Sequence, residues 1–327
     1  MYLPEANLGI RCLDERRRFV DESTDPYFSD MATDLRENVD EFRLASEIMV
    51  PKPQWFKEDE AVAREFMARL GHTALPDIYV LGEGKQLRAL GMVSQKTTGE
   101  PEVIATTDWI SRFALVRESK IAQCRHELGA VKSQGILVHE LLHLTETRAD
   151  VVLARHGRRN YSTKIRTGFI MAEGELAKGK FLEEALCTYF EGLFVRSQES
   201  AEGGLVSFAG VPPAKIPSHY KIKKARSGDA HNSMAGYDGY AMELLMYGCE
   251  QRGILSKEDF VAALLQTRQP DTKATGMRSI FGAMNQLQPK LYGRLRALEY
   301  SRDNWRAGCD LVYQAVTDKT WAEAIQA

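Results

Sequence analysis

"GILVHELLHLTE" (Gly135–Glu146) is the stretch on which the reading of this chain turns. Leu137, Leu141 and Leu144 recur at three- and four-residue spacing, the period of one helix face. His139 and His143 are four residues apart, so on the same helix they lie one turn above the other, on a face rotated away from the leucines. A helix here buries its leucine stripe and offers two imidazoles to a common point. Two neutral imidazole nitrogens at ~2.1 Å from one ion are half of a zinc site, and a catalytic site keeps a position open for water. Glu140 follows His139 directly and projects near the same edge, where a carboxylate takes a proton from that water and returns it to a leaving amine. HExxH therefore encodes two ligands and a base in little more than one turn.

A near-copy, "CRHELGA" (Cys124–Ala130), lacks the second histidine: Ala130 stands four after His126, and Gly129 disfavours helix. His126 reads as a surface or helix-end histidine.

Two histidines leave a zinc site incomplete. The extended HExxHxxGxxH pattern is absent, because Glu146 and Ala149 occupy its two last places. The third ligand must come from elsewhere, and "GKFLEEALCTYFEGL" (Gly179–Leu193) offers acidic residues on a helical pattern. Leu182, Leu186, Tyr189, Phe190 and Leu193 make its apolar side, and Glu184 falls outside that side. Glu183 lies ~100° further round the helix. Glu146 and Asp150 are further candidates, as ligands or as groups that orient an imidazole.

With "HELLH" and "LEEALCTYFE" together, the chain resembles the gluzincin branch of the zincin metallopeptidases. There a second helix carries Leu-Asn-Glu-Gly-(apolar)-Ala-x-Tyr-x-Glu, and its first glutamate binds zinc. The resemblance puts Glu184 in the ligand place, with Glu183 where Asn is usual. Forty residues separate His143 from Glu184, more than in the thermolysin-like and aminopeptidase-like patterns. "HNSMAGYDGYAMELLMYG" (His231–Gly248) loosely resembles the Tyr-x-x-Gly-(aromatic)-Ala stretch whose tyrosine steadies the oxyanion; Tyr237 takes that place, ahead of Tyr240 and His231. The Gly-x-Met-Glu-Asn exopeptidase signature is absent before His139, where "RFALVRESKIAQ" stands, which favours endopeptidase over aminopeptidase action. The resemblance spans Gly135 to about Gly248, roughly a third of the chain.

Around this region the chain reads as α+β. Leu35, Val39 and Phe42 are spaced as one helix face, "VPKPQWF" (Val50–Phe56) reads as a linker or turn, and Glu58–Leu70 as a helix stopped by Gly71. "PDIYVLG" (Pro76–Gly82), "LRALGMVSQ" (Leu87–Gln95) and "PEVIATTDWI" (Pro101–Ile110) read as strands joined by glycine-containing turns. "TKIRTGFIMA" (Thr163–Ala172) reads as a fourth, and it or "PEVIATTDWI" is the expected edge for an extended substrate. From Gly179 on, helical periodicity dominates, and Ser256 with Asp259 resembles a capping box. The expected architecture is zincin-like: a small, mostly antiparallel sheet packed on the HExxH helix, then a mainly helical C-terminal subdomain. The expected organisation is an N-terminal extension at 1–55, a sheet-containing subdomain at 56–178 and a helical one at 179–327.

A net charge of −2 over 327 residues makes no electrostatic case for nucleic acid or an anionic membrane as partner. Arg166 and "HYKIKKAR" (His219–Arg226) read as solvated surface. No signal-like N-terminus and no run of ~18 apolar residues is present, which points to a cytoplasmic location. Five scattered cysteines without a CxxC pair point to reduced thiols. Cys187, near the proposed metal, reads as a small core residue. The expectation is a Zn²⁺-dependent peptidase acting on a peptide or protein. His139, His143 and Glu184 hold the metal, Glu140 is general base and Tyr237 the oxyanion donor. A metal-dependent hydrolase of a non-peptide amide, or a non-catalytic binding protein on the same scaffold, are the alternatives.

Overall fold

The computed structural model describes residues 9–11, 13–14, 18, 29–93, 103–108, 112–145, 147–156, 159–167, 183–199, 242, 245–269 and 271–297. It is a mixed α+β chain, mostly helical, with a small four-stranded open sheet. It divides into two compact units, Met1–Met171 and Ala172–Ala327.

In the first unit, helix α1 (Ser29–Ser46) leads into the two-residue strand β1 (Met49–Val50). Pro51 and Pro53 cannot donate to a ladder, and helix α2 (Gln54–Arg69) starts directly after Pro53, earlier than the periodicity alone implied. Strand β2 (Ile78–Leu81), the short helix α3 (Gln86–Ala89), β3 (Ala105–Asp108) and β4 (Phe113–Arg117) follow. The sheet order is β1-β2-β4-β3. The β1–β2 and β3–β4 pairings are antiparallel, but β2 and β4 run parallel, Ile78 opposite Ala114.

Two expectations are corrected here. "LRALGMVSQ" is no strand over its described part: Leu87 and Met92 are buried five residues apart, and the Met92 N–H closes back on the Leu87 carbonyl at 2.9 Å. That bond spans Gly91 at φ +68° and is the six-to-one closure that ends a helix, here the short α3. The missing strand is "FALVR", whose five residues are all buried. A strand covered on both faces shows a continuous apolar run, which periodicity does not distinguish from helix.

The core on one side of the sheet is built by Val39, Phe42 and Ala45 of α1 with Leu81, Leu115 and Phe113. Phe42 packs edge-on to Tyr79 (centroids 5.1 Å) and against Phe113 (4.7 Å). Helices α4 (Glu118–Leu128) and α5 (Ala130–His143) follow β4 and are separated by Gly129 alone. Helix α5 packs chiefly on α2 and α4 and meets the sheet at β3, so its main supports are helices. A second, two-stranded ribbon, β5 (Thr147–His156) with β6 (Arg159–Thr167), starts four residues beyond His143. β6 includes the first part of the expected "TKIRTGFIMA"; residues 168–172 lie outside the described ones.

In the second unit, helix α6 (Glu183–Glu199) buries Leu186, Tyr189, Phe190, Leu193 and Phe194. Residues 245–251 are helical, followed by α7 (Lys257–Gln266), α8 (Lys273–Leu287) and α9 (Pro289–Ala297). Ser256 caps α7: its hydroxyl accepts from the Asp259 N–H at 3.0 Å and donates to the Asp259 carboxylate at 2.8 Å. Among the described residues no helix is long and apolar enough to cross a membrane.

Candidate metal centre

Helix α5 carries the HExxH residues on its last turn and a half. Leu137, Val138, Leu141 and Leu142 are all buried, a wider apolar face than three leucines alone form. His143 is 8 % exposed, while His139 and Glu140 are half-buried. The Nε2 atoms of His139 and His143 stand 3.1 Å apart. Two nitrogens at ~2.1 Å from a tetrahedral ion are separated by about 3.4 Å, so the pair already has nearly the bite of a chelate. His126 of "CRHELGA" is exposed on α4.

The helix that presents the pair is held at both ends. At its start, Asp59 of α2 is 1 % exposed. It accepts from the Ser133 hydroxyl, from Gln134 Nε2 at 2.9 Å and from Arg125 Nε of α4 at 3.0 Å. Arg125 in turn lies over the Trp55 ring, 5.7 Å from its centroid. At its end, Arg112 donates from Nε to the Leu144 carbonyl and from Nη2 to the Ala74 carbonyl, both at 3.3 Å. A guanidinium there satisfies a helix-end carbonyl and opposes the negative end of the helix dipole. Arg112 has φ +61°, unusual for a residue with a side chain.

In the second unit, Glu183 opens α6 and is 3 % exposed. Its Oε1 accepts from Arg268 Nη1 at 3.0 Å and from the Cys187 thiol, one turn on, at 3.5 Å. Arg268, 1 % exposed, is among the largest fully buried side chains. It sits just beyond α7 and is 85 residues from Glu183, so no local pattern announces the pair. A buried guanidinium fixes the orientation of the carboxylate it holds, as groups behind a metal ligand do.

Glu183 and Cys187, both buried and one turn apart on α6, are residue types that metals take. Of the residues the sequence singled out, Glu184 belongs to the first turn of α6 by its backbone, and its side chain is outside the described residues. Tyr237, Tyr240, His231 and Glu146 are outside them altogether, and Asp150 is placed in β5 by backbone alone. Asp59, Arg112 and Arg268 are the contributors that sequence reasoning missed. No protein-family model, no curated protein and no solved structure matches this chain.

Proposed function

We propose that the protein is a zinc-dependent peptidase of zincin type. The observation that supports this most is the 3.1 Å approach of two imidazole Nε2 atoms on one helix, with Glu140 beside them. His139 and His143 supply two ligands. The third is a carboxylate of the first turn of α6: the resemblance favours Glu184, while burial and the Arg268 ion pair favour Glu183. Zinc, when bound, supplies Lewis acidity that brings the pKa of a coordinated water towards neutrality. With zinc held there, Glu140 would be the group to take a proton from a metal-activated water and return it to a leaving amine. The resemblance assigns the oxyanion-donor role to Tyr237, which lies outside the described residues. Strand β3, at the edge of the four-stranded sheet and against α5, offers backbone groups to an extended peptide.

The test is Glu140→Gln. It should bind zinc as the wild type does and lose hydrolysis of a casein or peptide-library substrate by at least ~10²-fold, the usual range for a general base. Full activity in that variant rules the reading out. Zinc titration of Glu183→Gln and Glu184→Gln identifies the third ligand, since its loss should weaken binding far more than its neighbour's.

A further inference from the structure

Among the described residues Arg112 is the only one other than glycine with a positive φ, +61°. Glycine enters that left-handed region freely, and a residue with a Cβ enters it at a cost. The Arg112 N–H closes on the Asp108 carbonyl at 2.7 Å, so the residue completes the turn from β3 into β4. Glycine would make that turn without strain. Strained conformations persist where the surroundings hold them and gather at functional sites. Here the side chain supplies the hold. The guanidinium donates to the Leu144 carbonyl at the end of α5 and to the Ala74 carbonyl ahead of β2, both at 3.3 Å. Leu144 follows His143 directly, and Leu144 and Thr145 are both buried. Carbonyls at a buried helix end need donors from the protein. The Leu144 and Thr145 N–H groups bond back to Leu141 and Leu142 at 3.1 and 3.2 Å, which tightens the turn that presents His143.

We infer that Arg112 is a positioning residue of the proposed reaction, a role that rests on the peptidase reading and on β3 as its substrate edge. Through its backbone it is tied to Asp108, the last residue of β3, and through its side chain to the last turn of the HExxH helix. β3 lies at the edge of the sheet and packs against that helix. A peptide paired with β3 is placed by the strand, while the metal ligands are placed by α5. Arg112 fixes the one against the other. A misplacement of about 1 Å between reacting groups costs about 10²-fold in rate, so this link bears on turnover more than on binding. The guanidinium is half-buried and turned to backbone carbonyls, so it acts through the helix and not on the substrate itself.

The experiment compares the zinc-loaded, full-length wild type with Arg112→Gly and Arg112→Ala on a peptide-library substrate. Glycine removes the guanidinium and relieves the backbone, whereas alanine removes the guanidinium and keeps the strain. Both variants should lose kcat by about 10²-fold. KM should stay within about threefold, because pairing with β3 is kept. Zinc affinity should also stay within about threefold, because the His139–His143 bite is set inside one helix. The melting temperature should fall in Arg112→Ala and stay within about 3 °C of the wild type in Arg112→Gly, so that turnover follows the side chain and stability the backbone. In the zinc-free proteins, hydrogen exchange of the Leu141–Thr145 amides should rise about tenfold in both variants and stay unchanged at the start of α5, where Asp59 holds Ser133 and Gln134. A kcat loss matched by an equal loss of zinc affinity, a kcat loss in Arg112→Ala alone, or faster exchange along the whole of α5 each overturns the inference. A wild type that cleaves no peptide removes the peptidase reading and this role with it. A wild type that cleaves, matched by both variants, removes the role of Arg112 alone.

Discussion

Asp59 joins three helices through one carboxylate: it belongs to α2 and accepts from Arg125 of α4 and from Ser133 and Gln134 of α5. Removing the buried Asp59 carboxylate strands the Ser133 and Gln134 donors, at about 1–3 kcal/mol, while the part-exposed Arg125 stays solvated. Asp59→Ala should lower the unfolding free energy by that order in urea titration. It should also weaken zinc binding, since the start of the HExxH helix loses its support. Arg268→Ala is expected to destabilise more, by about 3–5 kcal/mol, because both members of its pair with Glu183 are buried and the carboxylate is left stranded. Arg268→Met/Glu183→Leu should recover much of that stability by replacing the pair with apolar volume, yet not recover zinc affinity if Glu183 is the ligand. A double-mutant cycle with zinc titration of each variant checks both statements. At this scale the His139–Glu140–His143 spacing was legible, because i,i+4 geometry is local. Asp59 and Arg268 were not, because their partners are 66 or more residues away and an isolated Asp or Arg reads as surface.

Between elements, two glycines decide how helices meet. Gly129 has φ +91° and ends α4 while starting α5, so the chain turns within one residue. Nothing lies within 4 Å of a Cβ built there, so Gly129→Ala tests backbone strain alone and should cost about 1–2 kcal/mol. Gly276 in α8 is the opposite case. A Cβ there would stand 2.4 Å from the Ala263 carbonyl oxygen and 2.7 Å from the Thr267 nitrogen, both backbone atoms of the α7 segment. Gly276→Ala should therefore push α7 and α8 apart and destabilise by about 1–3 kcal/mol, visible as a lower thermal midpoint. Amphipathic helices were readable from their period: Val39 and Phe42 of α1 and the apolar side of α6 are buried as expected. The strands were harder. "FALVR" and "TRADVVLARH" have no clean alternation, the first because both faces are covered, the second because a bulge resets its parity.

The described cysteines of the whole chain behave as core. Cys124, Cys187 and Cys249 are free and buried. Burial pushes the Cys249 thiol from 9.0 up to about 12. In the unfolded chain it ionises above about pH 9, while in the native state it stays protonated, so the native state binds more protons in that window. Its contribution to stability is complete below pH 9 and declines as pH rises towards 12. Denaturant titrations at pH 8 and pH 10 should show a smaller loss for Cys249→Ala than for the wild type.

The sequence by itself determined what local geometry encodes: an α+β chain, a histidine pair and a base on one helix, and a largely helical second half. Periodicity and i,i+4 spacing need no knowledge of the rest of the chain. Only the tertiary structure decided which carboxylate is buried against Arg268, which helices clamp α5, the parallel pairing inside the sheet, and the bulged register of the β5–β6 ribbon. Each depends on a partner brought near by folding or on a register, and neither is written in the residues on one side of the contact.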